Sequence, residues 1–368
     1  MKIDNQGTLH LAWFEAGKAR NEIFYATAPH QAMGVTLPIH VNKDGDPVSS
    51  LHQPPALALG PDQSVYITWS TPHPQGKSNP FASLLKASRW APAIGTFTPP
   101  VTVNDDAAPT SHSFDNLCVS PSGTLHVSWI DERLGHGQPK TMTTRSDTKG
   151  LSFKKNLALE GMTCVCCRTA MTTAPDGTIY VSWRQTLEGN VRETVVARST
   201  DNGRSYSSPV IVGHDQWVFP ACPHRPSSIG VDGQGRLYVV WYTEGPDETP
   251  GIYFAMSDNQ GQTFSPRRML NRSKGTFPDK PHMAVDPQGR ILVVWEELSP
   301  VRHEVFLSYS EDRGNTFTTP QRLNQAKGEG PVVSLNTRGQ GSIAWNEHAF
   351  PNNVLIVQPV TISTPHSH

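Results

Sequence analysis

The sequence predicts an all-β protein, a β-propeller of four-stranded antiparallel blades, with seven blades preferred and six as the alternative. Three observations carry this expectation. Seven of the nine tryptophans share one register: TLHLAW ends at Trp13, SVYITW at Trp69, TLHVSW at Trp129, TIYVSW at Trp183, RLYVVW at Trp241, RILVVW at Trp295 and GSIAW at Trp345, at intervals of 50 to 60 residues. Six residues before the tryptophan stands Gly7, Gly123, Gly177, Gly235, Gly289 or Gly339, with Gln63 the exception. A turn glycine followed by alternating apolar residues reads as a turn into a strand. Gly (29) and Pro (32) are abundant among the 368 residues while charged residues are only 17%, a balance that argues against helical bundles.

Each repeat supplies the remaining strands in order. An apolar strand comes first (TAMTTA, SSIGVD and HMAVD), followed by the tryptophan strand. A third strand follows a polar loop (EIFYATA, ETVVARS, GIYFAMS, EVFLSYS), and a fourth closes on Asn42, Asn104, Asn271 or Asn324. One such sheet cannot bury both of its faces, so neighbouring sheets must do so around an axis. The first repeat begins late in its inner strand and the last lacks an obvious fourth strand, so ring closure is expected to bring the ends together. Residues 1–368 are read as a single propeller domain.

Lys plus Arg number 31 against 32 Asp plus Glu, a net charge of −1, which excludes nucleic-acid binding by bulk electrostatics. No apolar run approaches the roughly 18 to 20 residues of a membrane-spanning helix. The chain shows no basic and apolar leader, so a leader removed from the numbering or a truncated start is expected.

Between the third and fourth strands a further string recurs: STDNGRSY (Ser199 to Tyr206), SDNQGQTF (Ser257 to Phe264) and SEDRGNTF (Ser310 to Phe317), read as copies of S-x-D-x-G-x-[ST]-aromatic. SDTKGLSF, with Thr148 at the Asp position, is a degraded copy. Here the chain resembles the Asp-box (BNR-repeat) propellers of the sialidase superfamily along nearly its whole length. The physical reading of the string is a turn: Asp201 and Asp312 accept backbone N–H bonds, Gly203, Gly261 and Gly314 supply positive φ, and the aromatic packs beneath. Propellers of this type are usually exported, and clustered cysteines with a histidine suit an extracytoplasmic compartment, periplasmic or secreted.

Ligand sites in such rings are expected on the face opposite the Asp boxes, near the axis, where loops from several blades converge. Counted back from the turn position, TCVCCR and ACPHRP superimpose without a gap: Cys164 aligns with Cys222, Cys166 with His224, and Cys167 with Arg225, while His112 and His52 hold the same register in earlier repeats. In extended chain, residues two apart share a face, which pairs Cys164 with Cys166 and Cys222 with His224 and turns Cys167 away unless the segment is irregular. Three readings stand. A disulfide could join Cys164 or Cys166 to Cys222, with Cys118 as a buried free thiol. A soft-metal site for copper or zinc could use Cys164, Cys166, Cys222 and His224, with His112 and His52 as outer contributors and Arg168 and Arg225 offsetting charge. Cys166 and Cys167 could instead form a redox pair or a nucleophile activated by the nearby arginines. The chain is also similar to a group of sialidase-like bacterial propellers with a C-x-C-C string in one inner strand and a Cys-Pro string in the next, which implies that these cysteines act together.

The preferred reading is an extracytoplasmic metal- or ligand-binding propeller, whose partner is a metal ion or a small carboxylated or glycan ligand. The alternative follows from the sialidase resemblance, which implies an exo-sialidase-type glycoside hydrolase: arginines clamp a carboxylate, and a Tyr paired with a carboxylate attacks the sugar. Tyr242, Glu244, Asp131, Arg168, Arg184 and Arg225 are the residues available for those roles, with the cysteines as staples. The aromatic-Arg-Ile-Pro string that precedes the first Asp box in that family is absent from this chain.

Overall fold

The computed structural model describes residues 1–16, 21–29, 34–42, 54–135, 137–246, 249–271, 276–349 and 352–362. Seven antiparallel sheets follow one another along the chain, each ordered as its strands occur in sequence, so the protein is a seven-bladed propeller and the six-bladed alternative is excluded. The innermost strands are Lys2–Ile3, Ala56–Leu59, His112–Val119, Ala170–Thr173, Ser228–Val231, Phe277–Val285 and Gly328–Leu335. The register tryptophans lie on the second strands, Thr8–Ala16, Val65–Pro72, Leu125–Asp131, Ile179–Thr186, Leu237–Thr243, Ile291–Leu298 and Gln340–Ala349. Blade 7 has three strands among the described residues. No helix of the described residues is long and apolar enough to cross a membrane.

Seven apolar clusters correspond to seven interfaces between blades. Leu117, Val127 and Trp129 of blade 3 meet Tyr66 and Leu85 of blade 2; Tyr180 and Val196 of blade 4 meet Leu237, Val239 and Trp241 of blade 5. The ring closes where Ile3, Leu9 and Leu11 of blade 1 pack with Val357 of blade 7, and where the Ile3 N–H donates to Ser334 Oγ at 2.9 Å. Six of the seven register tryptophans are buried, from Trp69 to Trp345. At roughly 25 cal/mol per Å² of apolar surface, these interfaces are the main favourable contribution to folding.

The turn position is left-handed in every blade. The six glycines have φ between 78 and 87°, and Gln63 adopts φ 61°, a conformation that a side chain with a Cβ enters only at a cost. The four S-x-x-x-G strings form one recurring turn. In each, the serine hydroxyl accepts the glycine N–H at 2.8 to 2.9 Å, as between Gly203 and Ser199. Asp201 and Asp312 accept from the backbone and hydroxyl groups of Ser205 and Thr316, as expected. In the SDNQGQTF copy the position belongs to Asn259 instead, and its amide oxygen accepts the Thr263 N–H at 3.0 Å.

The residue before the box glycine reaches back to the first turn of the preceding blade: Lys149 to Asp62, Asn202 to Thr124, Gln260 to Asp176, and Arg313 to Asp232. The box is therefore a clamp between blades. The closing asparagines also have a common task. Asn42, Asn104, Asn271 and Asn324 each accept a buried backbone N–H of the third strand, from Ile23, Leu85, Ile252 and Val305, at 2.7 to 3.0 Å. Each replaces a ladder bond at the point where the short fourth strand ends.

Candidate metal-binding site at the blade 4 inner strand

The pairing register supports the superposition of the two cysteine segments. Ala170 pairs with Ser182 and Ser228 with Val240, each one residue before its tryptophan, which makes Cys164 and Cys222, six residues upstream, positional counterparts. The side chains do not follow an extended path. Met162–Thr163 pairs with the end of the tryptophan strand, the Cys164 N–H donates to Arg184 O at 2.8 Å, and the chain then turns through residues 165–167. This turn rotates Cys167 back toward its neighbours.

As a result, the sulfurs of Cys164, Cys166 and Cys167 all lie within 4.8 Å of one another. Cys164 Sγ is 3.6 Å from Cys166 Sγ and 3.1 Å from Cys167 Sγ. The three residues are 1, 5 and 0% exposed, and Phe114 packs against them. Cys222 is exposed, and neither it nor His224 brings a ligand atom into the convergent set, so the Cys164, Cys166, Cys222 and His224 quartet is replaced by the three cysteines of one turn. His224 has φ 53° and its ring lies 6.2 Å from that of Phe114, the residue that packs against the sulfurs. All five cysteines are free thiols, so the inter-blade disulfide expected as one reading is not formed. Cys118 is buried in the interface between blades 3 and 4.

Arg184 supplies the local charge. It is 2% exposed, donates to Tyr242 O at 2.6 Å and Arg225 O at 3.3 Å, and lies 5.1 Å over the Trp217 ring. Its Nη1 has no hydrogen-bond partner, and no carboxylate is within ion-pair distance of its guanidinium among the described residues. Hydrogen bonding from Cys166 and Cys167, aided by the Arg184 charge, pulls the Cys164 thiol down from its ordinary range, while the bond to Cys164 pushes Cys166 up and burial pushes Cys167 up. Two thiols and a guanidinium thus favour negative charge at Cys164 over its neighbours.

The other candidates separate into two groups. Both His112 nitrogens are committed: Nδ1 to Ser83 O at 2.5 Å and Nε2 to Asp106 Oδ1 at 3.0 Å, with Asp131 at 3.6 Å. Although Asp106, His112 and Asp131 converge closely enough to hold a cation, Arg133 already occupies the site, at 3.0 Å from Asp106 and 2.8 Å from Asp131. Burial lowers the imidazolium pKa, but the Asp106 bond and the Asp131 charge outweigh it and hold His112 above its usual range. Asp131 also accepts the Trp129 indole N–H at 2.7 Å, a task repeated by Glu15, Glu297 and Glu347 for Trp13, Trp295 and Trp345. Its carboxylate is committed to Trp129 and Arg133. His52 lies outside the described residues.

Tyr242, Glu244 and Arg225 do come together. The Tyr242 hydroxyl donates to Glu244 Oε1 at 2.7 Å, Arg225 lies 4.4 Å over the phenol ring, and Arg225 is paired with Asp279. Arg184 touches this group through the Arg225 and Tyr242 carbonyls. Arg168 instead donates to Asp115 O and Pro54 O, both at 2.6 Å, tying blade 4 to blades 3 and 2. Tyr242 is 1% exposed, and burial followed by the Glu244 bond raises its pKa, so the phenol keeps its proton. Sequence reasoning missed Phe114, Trp217 and Asp279 and named Cys167 for a redox pair but not for the metal set; TCVCCR contains no Gly, Pro or Asn to announce a turn.

No protein-family model and no curated protein matches the chain. Solved structures do. An ulvan lyase described as a new family of polysaccharide lyase superposes with TM-score 0.63 at 11% identity, covering 98% of this chain and 91% of its own. An α-L-arabinofuranosidase from Fusarium graminearum gives 0.59 at 14% identity, covering 86% and 96%. A Hadza microbial sialidase gives 0.55 at 12% identity, covering 94% and 74%. At such identities the likeness concerns architecture, and the chain has the sialidase-like, seven-bladed propeller fold.

Proposed function

We propose that the protein is a soft-metal-binding propeller that holds one Cu(I) ion on the sulfurs of Cys164, Cys166 and Cys167. The observation that carries this reading is the convergence of three buried sulfurs beside a buried guanidinium whose Nη1 has no hydrogen-bond partner. Thiolates select Cu(I) and zinc among biological metals. Zinc in a structural site takes four ligands. No fourth His, Cys, Asp or Glu atom joins the set among the described residues, which favours a three-coordinate Cu(I) site over zinc. Burial excludes competing water, and Arg184 offsets part of the negative charge that three thiolates around a monovalent ion would leave. An extracytoplasmic location, periplasmic or secreted, belongs to this proposal.

The test is anaerobic titration of the reduced protein with Cu(I) against bathocuproine, followed by elemental analysis. One Cu(I) per chain, lost in Cys166→Ser and retained in Cys118→Ser, supports the reading. A reduced, folded protein that yields all its copper to the chelator overturns it.

A second reading, a glycan-active enzyme of the sialidase type, is supported by the Tyr242 and Glu244 pair and by the glycan-active structural neighbours. It requires Tyr242 to become accessible, since a nucleophile must reach the anomeric carbon. Turnover of a fluorogenic sialoside that disappears in Tyr242→Phe is its supporting result; no turnover above that variant removes it.

A further inference from the structure

We propose that Cys164 and Cys167 form a redox pair that a small hydroperoxide closes to a disulfide, and that closure withdraws two of the three sulfurs from the metal site. The second half rests on the Cu(I) reading; the first does not. The two residues span a C-x-x-C turn, and their sulfurs, at 3.1 Å, are closer than the 3.6 Å contact between Cys164 and Cys166. Cys164 touches both neighbours and is therefore the sulfur from which a bond can form without moving the chain far. Cys166 is the competing thiol, at the longer contact; Cys118 is buried between blades 3 and 4, and Cys222 lies outside the cluster. With the three cysteines 0 to 5% exposed, a molecule the size of hydrogen peroxide is the oxidant this site can admit.

The chemistry balances as follows. The Cys164 sulfur attacks one peroxide oxygen; the S–O bond forms, the O–O bond breaks, and the departing hydroxide leaves as water with the thiol proton. Sulfur is oxidised by two electrons to the sulfenic acid, and the peroxide takes up those electrons. Cys167 sulfur then attacks Cys164 sulfur; the S–S bond forms, the S–O bond breaks, and the departing hydroxide leaves as water with a proton. Two thiols and one peroxide give one disulfide and two waters. Cys166 keeps its thiol.

The experiment treats metal-free, reduced protein with one equivalent of hydrogen peroxide, then denatures, alkylates and weighs it. The expected result is loss of two of the five alkylatable thiols, with Cys166 carrying the single alkyl group in the tryptic fragment spanning 156–168. Cys166→Ser should close as the wild type does, and Cys167→Ser should not. Peroxide-treated protein with five free thiols, or alkylation of Cys167 in that fragment, overturns the pair; the fragment map needs no variant that might fail to fold. Silver(I), a redox-inert stand-in for Cu(I), then separates the two proposals. Retention falling at least 100-fold on closure supports ligand withdrawal, and equal retention overturns it. A reduced protein that never holds silver while the disulfide still forms overturns the metal reading alone.

Discussion

Replacing Arg184 by methionine tests whether the sulfur cluster is built to carry negative charge. In the metal-free protein, Arg184 is a buried cation with no carboxylate in ion-pair contact among the described residues, and the buried Asp215 carboxylate feels its charge from farther off. Its removal relieves desolvation but forfeits the bonds to Tyr242 O and Arg225 O. Opposing terms of about 1–3 kcal/mol each should leave stability within about 2 kcal/mol of wild type. Unfolding entropy of about 2.1 cal/mol/K per residue over 368 residues converts this to a Tm change within about 3 °C. With Cu(I) bound to three thiolates the site is net anionic, and the guanidinium then attracts it. A unit charge pair about 6 Å apart at an effective dielectric of about 20 interacts by ~2.8 kcal/mol, roughly 100-fold in an equilibrium constant. Neighbours of metal ligands typically alter affinity by about 10- to 100-fold. Arg184→Met should therefore lose 10- to 100-fold in Cu(I) affinity while melting near the wild-type temperature, measured by bathocuproine competition and calorimetry on the same preparation. Unchanged affinity in a folded variant would refute the charge-compensation argument.

Further expected outcomes follow from the same geometry. Stripping Cu(I) from protein held at 1,000-fold above its Kd should cost about 4 kcal/mol, or about 5 °C in Tm by calorimetry. Asn271→Leu leaves the buried Ile252 N–H without its acceptor; a loss of about 1–3 kcal/mol, or about 1–4 °C, is expected on a thermal melt. Gln63→Gly should instead raise stability by about 1 kcal/mol in a urea titration, because it relieves a left-handed backbone. The His112 network faces Asp106, Asp131 and Arg133. The raised His112 pKa gives stability that is full below the unfolded value of about 6.5 and is lost as pH rises through the folded value. The lowered Asp106 pKa gives stability present above about 4 and lost as pH falls. The Tm difference between wild type and His112→Gln should therefore be widest between about pH 4 and 6.5 and shrink above that range.

The blades were legible because their signals are periodic. Trp129 or Trp241 fixes a strand that must be buried between two sheets, and the glycine six residues earlier fixes the turn before it, so blade number follows from counting. Even the residue that broke the pattern, Gln63, takes the backbone conformation of the glycines it replaces. Asn271 and Asn324 could be identified as closers without knowing that they substitute for a ladder bond. The site was less legible, because alignment gives backbone position and not side-chain direction. Cys164 and Cys222 are positional counterparts, yet one is held by the Arg184 carbonyl at the start of a turn and the other is exposed. A period-two assumption assigned Cys167 to the wrong side, since the turn through residues 165–167 has none of the residue types that usually mark one. Asp131 was misread for a related reason: a carboxylate two residues after a tryptophan looks like a rim acid until the indole N–H is seen to need an acceptor.

The same fold places two chemically different groups within reach of Arg184, and burial bears on them in opposite ways. A glycosidase must expose its nucleophile to a large, polar substrate, whereas Tyr242 is covered, protonated and bonded to Glu244. A metal site needs the opposite arrangement, ligands withdrawn from water and counter-charge fixed in advance. A buried guanidinium is costly to desolvate unless negative charge is near, and here the Asp215 carboxylate and the charge favoured at Cys164 offset it in part. Coordination of a soft cation by all three sulfurs would add anionic charge beside it and release thiol protons. Affinity should accordingly rise with pH as Cys166 and Cys167, both held above their ordinary range, become easier to deprotonate. Cu(I) competition at pH 6 and pH 8 checks this, and an affinity that is flat across that interval, after correction for the chelator, would mean that the metal is not displacing thiol protons at this cluster.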